Sequence, residues 1–258
     1  MKMTKLTKIM MALAAASAIA LPGMARATTI DGINFGGGDF SFVASTIMEE
    51  KVGGGLIGAV GDVLHGVGRV TEIYSGATLV WSNGDNGREL TFDFGGYTAS
   101  YVTAGLIEFT GGFAKFYSDS TPNANFGTGA GFTDGNLWMD LSALGSEFVN
   151  LGTGNTVSLV STGTLLGSSI SGTGVGLLSV TGAGLADSFF DTNTHTALGT
   201  GNLADWELNS SFNNTISPFL FGTHGTANIS GNAIPEPETL ALLGLGLLGL
   251  GLARRRRT

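Results

Sequence analysis

Glu89-Leu90-Thr91-Phe92-Asp93-Phe94 decides the fold class. In an extended chain Leu90, Phe92 and Phe94 fall on one face and Glu89, Thr91 and Asp93 on the other, because successive side chains of a strand point to opposite sides. That strict period of two reads as a half-buried β-strand. The same pattern continues outward. Upstream, residues 67–74 and 77–81 are rich in β-formers, and residues 83–87 are a turn cluster of Asn, Gly and Asp. Downstream, Gly95-Gly96 reads as a turn and residues 97–103 as a strand. Residues 106–110 and 113–117 then read as a hairpin about Gly111-Gly112. Nearer the start, residues 29–35 read as one strand, 40–43 as a second and 45–51 as a polar helical turn. Toward the end, residues 136–141 and 156–160 are strands and 163–184 are short strands and loops of low complexity. Residues 206–212 and 219–221 close the domain, and 223–232 lead out of it. Strands at intervals near ten residues are the sequence form of a sandwich or barrel. The expectation is all-β: an antiparallel β-sandwich of jelly-roll-like type, flanked by an N-terminal signal peptide and a C-terminal transmembrane sorting helix.

The start of the chain carries Lys2, Lys5 and Lys8, then an apolar, alanine-rich run over residues 9–21, then Ala25-Arg26-Ala27. Basic, apolar and small-residue regions in that order are a secretory signal peptide, with cleavage set by Ala25 and Ala27. The other end runs Pro235-Glu236-Pro237-Glu238, an uncharged Gly/Leu segment over 239–253, and Arg254, Arg255, Arg256 and Arg257. As a helix that segment is ~22 Å long, short of a ~30 Å hydrocarbon core. The four arginines hold their end on the cytoplasmic side and leave the rest outside. Three segments follow: a signal peptide at 1–27, a glycine-rich acidic β-domain at 28–232, and a sorting and anchor segment at 233–258.

Eight of the 12 basic residues lie in the terminal segments, leaving Lys51, Arg69, Arg88 and Lys115 against 20 acidic residues. The exported chain is therefore far more acidic than the whole-chain charge of −8, and nucleic acid is excluded as a partner. With no cysteine, thiol catalysis and cysteine-based zinc or iron–sulfur sites are excluded. The 43 glycines, against a usual share of ~7%, argue for short strands and tight turns. Gly53-x-Gly55-x-x-Gly58 has dinucleotide-loop spacing, but no buried strand precedes it, so it reads as a turn.

The tail, with Pro235, Glu236 and Pro237 ahead of an apolar segment and an arginine cluster, closely resembles the PEP-CTERM sorting signal of Gram-negative bacteria. That resemblance implies recognition and processing by the membrane enzyme exosortase, transient residence in the inner membrane, and a place in exopolysaccharide production. Tyr117-Ser-Asp-Ser-Thr-Pro122, Asp134-Gly-Asn-Leu-Trp138 and Phe190-Asp-Thr-Asn193 are similar to segments of flocculation-associated PEP-CTERM proteins, which implies polysaccharide-dependent aggregation and no catalytic residues.

His65, His195 and His224 form no close metal-binding pair, and neither a serine-hydrolase elbow nor an S-x-x-K motif occurs. Asp85, Asn86, Glu89, Asp119, Asp134, Asn136, Asp187 and Asp191 stand at loops, where oxygen ligands suit calcium but Asp and Asn are favoured for turn chemistry anyway. No cofactor is required, and weak surface calcium stays open. Trp81, Trp138, Trp206, Tyr97, Tyr101 and Tyr117 could stack on sugars or pack in the core, the latter being the expectation for most. The reading is a non-enzymatic cell-surface or matrix protein, sorted by exosortase, that acts with the exopolysaccharide matrix in floc or biofilm formation. The alternative is a secreted carbohydrate-binding module or a carboxylate-dependent polysaccharide hydrolase or lyase, which requires a groove where acids and aromatics converge.

Overall fold

The computed structural model describes residues 28–35, 38–144, 148–150, 152–167, 169–196, 203–214 and 221–234. Ala25, Ala27, Pro235, Glu236, Pro237, Arg254, Arg255, Arg256 and Arg257 lie outside these residues, as do the expected sorting helix and most of the closing strand at 219–221. Among the described residues no helix is long and apolar enough to cross a membrane.

The chain begins with β1 (Thr28–Ile30) and β2 (Ile33–Phe35), paired as a hairpin. One strand was expected here. The Asp31-Gly32 pair between them takes φ of 48° and 80°, the two left-handed residues that a tight hairpin turn demands. Next come β3 (Gly38–Lys51), β4 (Val63–Val70), β5 (Glu72–Ser75), β6 (Thr78–Ser82), β7 (Glu89–Val102), β8 (Leu106–Thr110) and β9 (Phe113–Asp119). They are followed by β10 (Asn136–Ala143), β11 (Phe148–Val149), β12 (Thr156–Val157), β13 (Leu159–Thr164) and β14 (Ser171–Val180). A single-turn helix, α1 (Asp187–Phe190), precedes β15 (His195–Thr196), β16 (Leu203–Ala204), β17 (Trp206–Asn214) and β18 (Thr223–Ala233).

Twelve strands share one hydrogen-bonded ladder, and part of it closes on itself. β3 pairs with β4, β4 with β7, β7 with β8, β8 with β13, β13 with β14, β14 with β17, β17 with β18, and β18 returns to β3, all antiparallel. The ring strands follow chain order, with β5 and β6 branching off between β4 and β7 and β9 and β10 between β8 and β13, so the closure is barrel-like without being a plain up-and-down barrel. The all-β, antiparallel expectation stands. The finer jelly-roll-like sandwich is not established by these pairings, in which twelve strands share one ladder. Alternation sets which face is buried, not which strand lies beside which.

Four local expectations change with it. Residues 45–51 are not a helical turn but the second half of β3. Residues 163–184 contain the ten-residue strand β14, which pairs with β13, β10 and β17. Residues 223–232 lie in β18, whose pairing with β3 closes the ring. The expected hairpin about Gly111-Gly112 is replaced by a longer one. β9 pairs with residues 89–95 of β7 and β8 with residues 98–102, so β8 and β9 run end to end along one edge. The chain reverses at residues 103–105, where Leu106 and Thr103 hydrogen-bond each other. Gly95-Gly96 and Gly111-Gly112 lie across from each other at the change of partner, a bend rather than two turns.

Two large apolar clusters fill the interior among the described residues, beside a minor one of Leu177 and Ala204. The larger gathers Phe35, Phe42, Phe116, Trp138, Phe190 and Trp206, each at most 1% exposed. Phe42 and Phe190 lie 4.9 and 5.0 Å from the Trp206 ring, distances at which aromatic pairs add ~1 kcal/mol beyond burial. β4 makes room for rings with glycines: a Cβ at Gly68 would stand 2.2 Å from the Phe92 ring, and one at Gly66 2.3 Å from that of Phe94. The smaller cluster contains Ile57, Leu64, Tyr97, Ile107, Phe109 and Phe212. On the outer face, Asn209 pairs with Asn228 and Ser211 with Thr226 across β17 and β18, the reverse of a lipid-facing barrel.

Candidate functional site

Much of the acidity of this chain works inside it. Glu89, Glu108, Asp187 and Asp205 are each at most 1% exposed. On the outer side of β7, Glu89 accepts the backbone N–H groups of Asn123 and Ala124 at 2.8 and 3.0 Å and meets Arg69 at 3.2 Å. It thereby fastens the loop before β10 to the wall. Glu108 accepts the amides of Asn150 and Asn155 at 2.6 and 2.5 Å and the Thr153 hydroxyl. Asp187 accepts N–H from Asp140, Gly182 and Gly184, and Asp205 from Val180, Thr192 and Asn193, all within 2.6–3.0 Å. A buried carboxylate is tolerated when several donors replace its hydration. These four are clamps on loops. Glu108 and Asp205 have no distinctive sequence signal, since their partners come from residues that fold beside them.

A different arrangement stands on the open side of β3, β4, β7 and β9. Register places Val67, Asp93, Lys115 and Asp140 in one row across β4, β7, β9 and β10. Lys115 lies 3.7 Å from Asp140 and over the Phe113 ring at 5.7 Å. Burial raises the Asp93 carboxyl above the usual range, partly opposed by a hydrogen bond from Tyr117 and by the nearby Lys115 charge. Its Oδ1 is buried without a partner among the described residues. The Tyr117 hydroxyl is pushed up to about 12, by burial first and then by Asp93. One residue along, Glu50 and His65 approach to 3.7 Å, and the His65 ring lies 5.2 Å from that of Phe221. Above this wall runs an open groove of about 800 Å³, lined by Glu50, His65, Asp93, Gly95, Phe113 and Thr133 among others. Carboxylates that accept sugar hydroxyls and an aromatic ring whose face packs on sugar C–H groups are the elements of a carbohydrate contact. A carboxyl whose burial disfavours its charged form also has the character of a general acid.

The other sequence candidates fall mainly into packing and turns. Trp81, Trp138 and Trp206 are fully buried and Tyr97 nearly so, which removes them as sugar platforms, while Tyr101 is exposed. Asp85 accepts the Ser82 N–H, Asp119 that of Thr121, Asp134 the Asn123 amide and Asp191 the Asn193 amide. Asn86 donates to the Gly32 carbonyl and Asn136 to Asp31. Among the described residues no group of three or more His, Asp or Glu could hold a metal ion.

Residues 233–257 match the family model of the PEP-CTERM protein-sorting motif. The chain thus carries a sorting signal of the kind processed by exosortase, and the motif implies export to the cell envelope or surface. No curated protein and no solved structure matches the chain.

Proposed function

We propose that this is a non-enzymatic, exported protein that supports exopolysaccharide-dependent aggregation, as in flocs or biofilm. Exosortase releases it from the inner membrane, and the acidic barrel then works at the cell surface or in the extracellular matrix. The observation that carries this reading is the sorting motif at residues 233–257. The groove of Glu50, Asp93 and Phe113 supplies a face suited to polysaccharide. The floc role rests on the resemblance of residues 117–122, 134–138 and 190–193.

The test is settling of cell aggregates in a strain lacking the protein, complemented with the full chain or with a version ending at Asn232. The full chain restores settling and the shortened one does not. A Phe113→Ala, Asp93→Asn double variant that is exported and folded settles slowly. Normal settling of the deletion strain would overturn the aggregation role. The presence of a groove with acids and an aromatic ring also keeps the hydrolase or lyase reading in play. That reading predicts release of new reducing ends from purified exopolysaccharide, lost in Asp93→Asn; the non-enzymatic reading predicts none.

A further inference from the structure

Two voids of about 40 Å³ each lie in the interior, and Glu49 and Leu64 line both. Each has space for roughly three waters. Register sets Glu49 opposite Gly66 on β4 and Thr223 on β18. It therefore falls on the inward face of β3 with Ile47, while Glu50 takes the outward face toward His65. Among the described residues Glu49 has neither an ion pair nor a hydrogen bond; its side chain is part-buried, keeping some accessible surface, and desolvation lifts its carboxyl to about 7. Nearby charges are engaged elsewhere: Lys51 with Asp62 at 3.5 Å, and Glu50, on the rim of the first void, with His65 at 3.7 Å. Tyr97, on the second void, is the other titratable side chain inside.

The first void has two more polar groups. Ser161 and Thr223, 7% and 3% exposed, line it beside Glu49. Here a carboxyl and two hydroxyls face one space whose other walls are Ile57, Leu64, Ile107, Phe109 and Phe212. A primary ammonium carries three N–H donors and a positive charge. It could give one donor to each group while its alkyl stem rests on the apolar wall, and a charge-assisted bond to the carboxylate is the strongest of the three.

We propose that this void is a binding site for a small primary alkylammonium, with the nitrogen held by Glu49, Ser161 and Thr223. The cap is the β3–β4 connection, whose Leu56 and Ile57 line the void. Three successive glycines, Gly53, Gly54 and Gly55, each with φ near 90°, precede them, a conformation that glycine adopts without steric cost. This site shares Glu50 with the groove, but its nitrogen ligands are separate from it and it does not rest on the sorting reading.

The experiment is calorimetric titration of the purified exported chain with n-propylammonium chloride, and with 1-propanol as the uncharged counterpart, at pH 6 in two buffers of different ionisation enthalpy. Saturable binding of propylammonium is expected, with release of close to one proton, because a carboxyl that titrates near 7 must ionise to receive the cation. Propanol binds without proton release. Glu49→Gln abolishes proton release and weakens binding about tenfold or more. Thr223→Val weakens it by a smaller factor of about three to ten while keeping the proton release, and serves as the reporter if Glu49→Gln does not fold. Absence of saturable binding, unchanged affinity in Glu49→Gln, or equal binding and proton balance for propanol would each overturn the proposal and leave a hydrated void around a neutral carboxyl.

Discussion

Around Trp206 the barrel interior is filled by rings, and the carboxylates nearby, Asp187 and Asp205, each hold three backbone N–H groups. Around Glu49 the interior has two voids, a carboxyl without a partner and a cap rich in glycine. Both regions belong to the same ladder and are enclosed by the same strands, so secondary structure does not separate them. What separates them is completion. The aromatic region satisfies its carboxylates and fills its volume; its exceptions are the indole N–H groups of Trp81 and Trp206, which lack partners among the described residues. The region about Glu49 retains an ionisable group where desolvation disfavours its charge. The contrast predicts that the first region anchors the fold and that the second carries the response to pH.

Four measurements would break or sharpen this contrast. Trp206→Ala removes the ring between Phe42 and Phe190 and should cost about 3–5 kcal/mol in denaturant unfolding; a loss below about 1 kcal/mol would show that the aromatic cluster is not the anchor. Asp205→Ala leaves three backbone donors without their acceptor and should cost about 3 kcal/mol. It should also make the chain near Thr192 and Asn193 the first site of limited proteolysis, and an unchanged digestion pattern would contradict the clamp.

Glu49→Gln has the opposite sign. The carboxyl titrates near 4.5 in the unfolded chain and near 7 in the folded one, so between those values the folded chain holds the extra proton. The carboxyl's contribution to stability is therefore full below pH 4.5, falls as pH rises to 7, and stays level above. The glutamine variant should lose this slope and gain about 1–2 kcal/mol at pH 8, less than the full shift allows because the carboxyl faces a space that water can enter. Parallel pH profiles for the two proteins would refute the unpaired state of Glu49. The smallest destabilisation is expected for Ile57→Ala at the rim of the core, about 2 kcal/mol, with faster amide hydrogen exchange confined to residues 52–62. Exchange that accelerates equally around Trp206 would mean that the two regions open as one.

Legibility followed how local each feature is. The alternation of Leu90, Phe92 and Phe94 was readable, and those residues face the interior. The two Gly-Gly pairs were readable as breaks in the pattern but not as a matched bend, because either pair alone has the composition of a turn. β14 was hidden by its small residues: Gly172, Gly174 and Gly176 carry no apolar period, yet lie close against other chain, with a Cβ at Gly172 falling 2.5 Å from the Thr162 carbonyl oxygen. The groove was foreseen only as a condition for the alternative function. Its residues Glu50, Asp93 and Phe113 come from three strands whose adjacency no spacing reveals. Glu49 was invisible as an inward group, because a register shift between β18 and β3, at Gly225 and Ala227, changes which parity of β3 faces inward after Ala44.

By itself the sequence determined the all-β class, the acidity of the exported chain and the sorting motif at 233–257, since period-two alternation, charge and a linear tail signal are carried by neighbouring residues. Only the tertiary structure decided that the strands close into a ring, that four carboxylates become loop clamps, and that Glu49 meets Ser161 and Thr223 at one void. The physical reason is distance along the chain. The β18–β3 closure, seen in the Ser41 to Asn228 hydrogen bond, joins residues 187 positions apart, and such contacts depend on global register and packing rather than on local pattern.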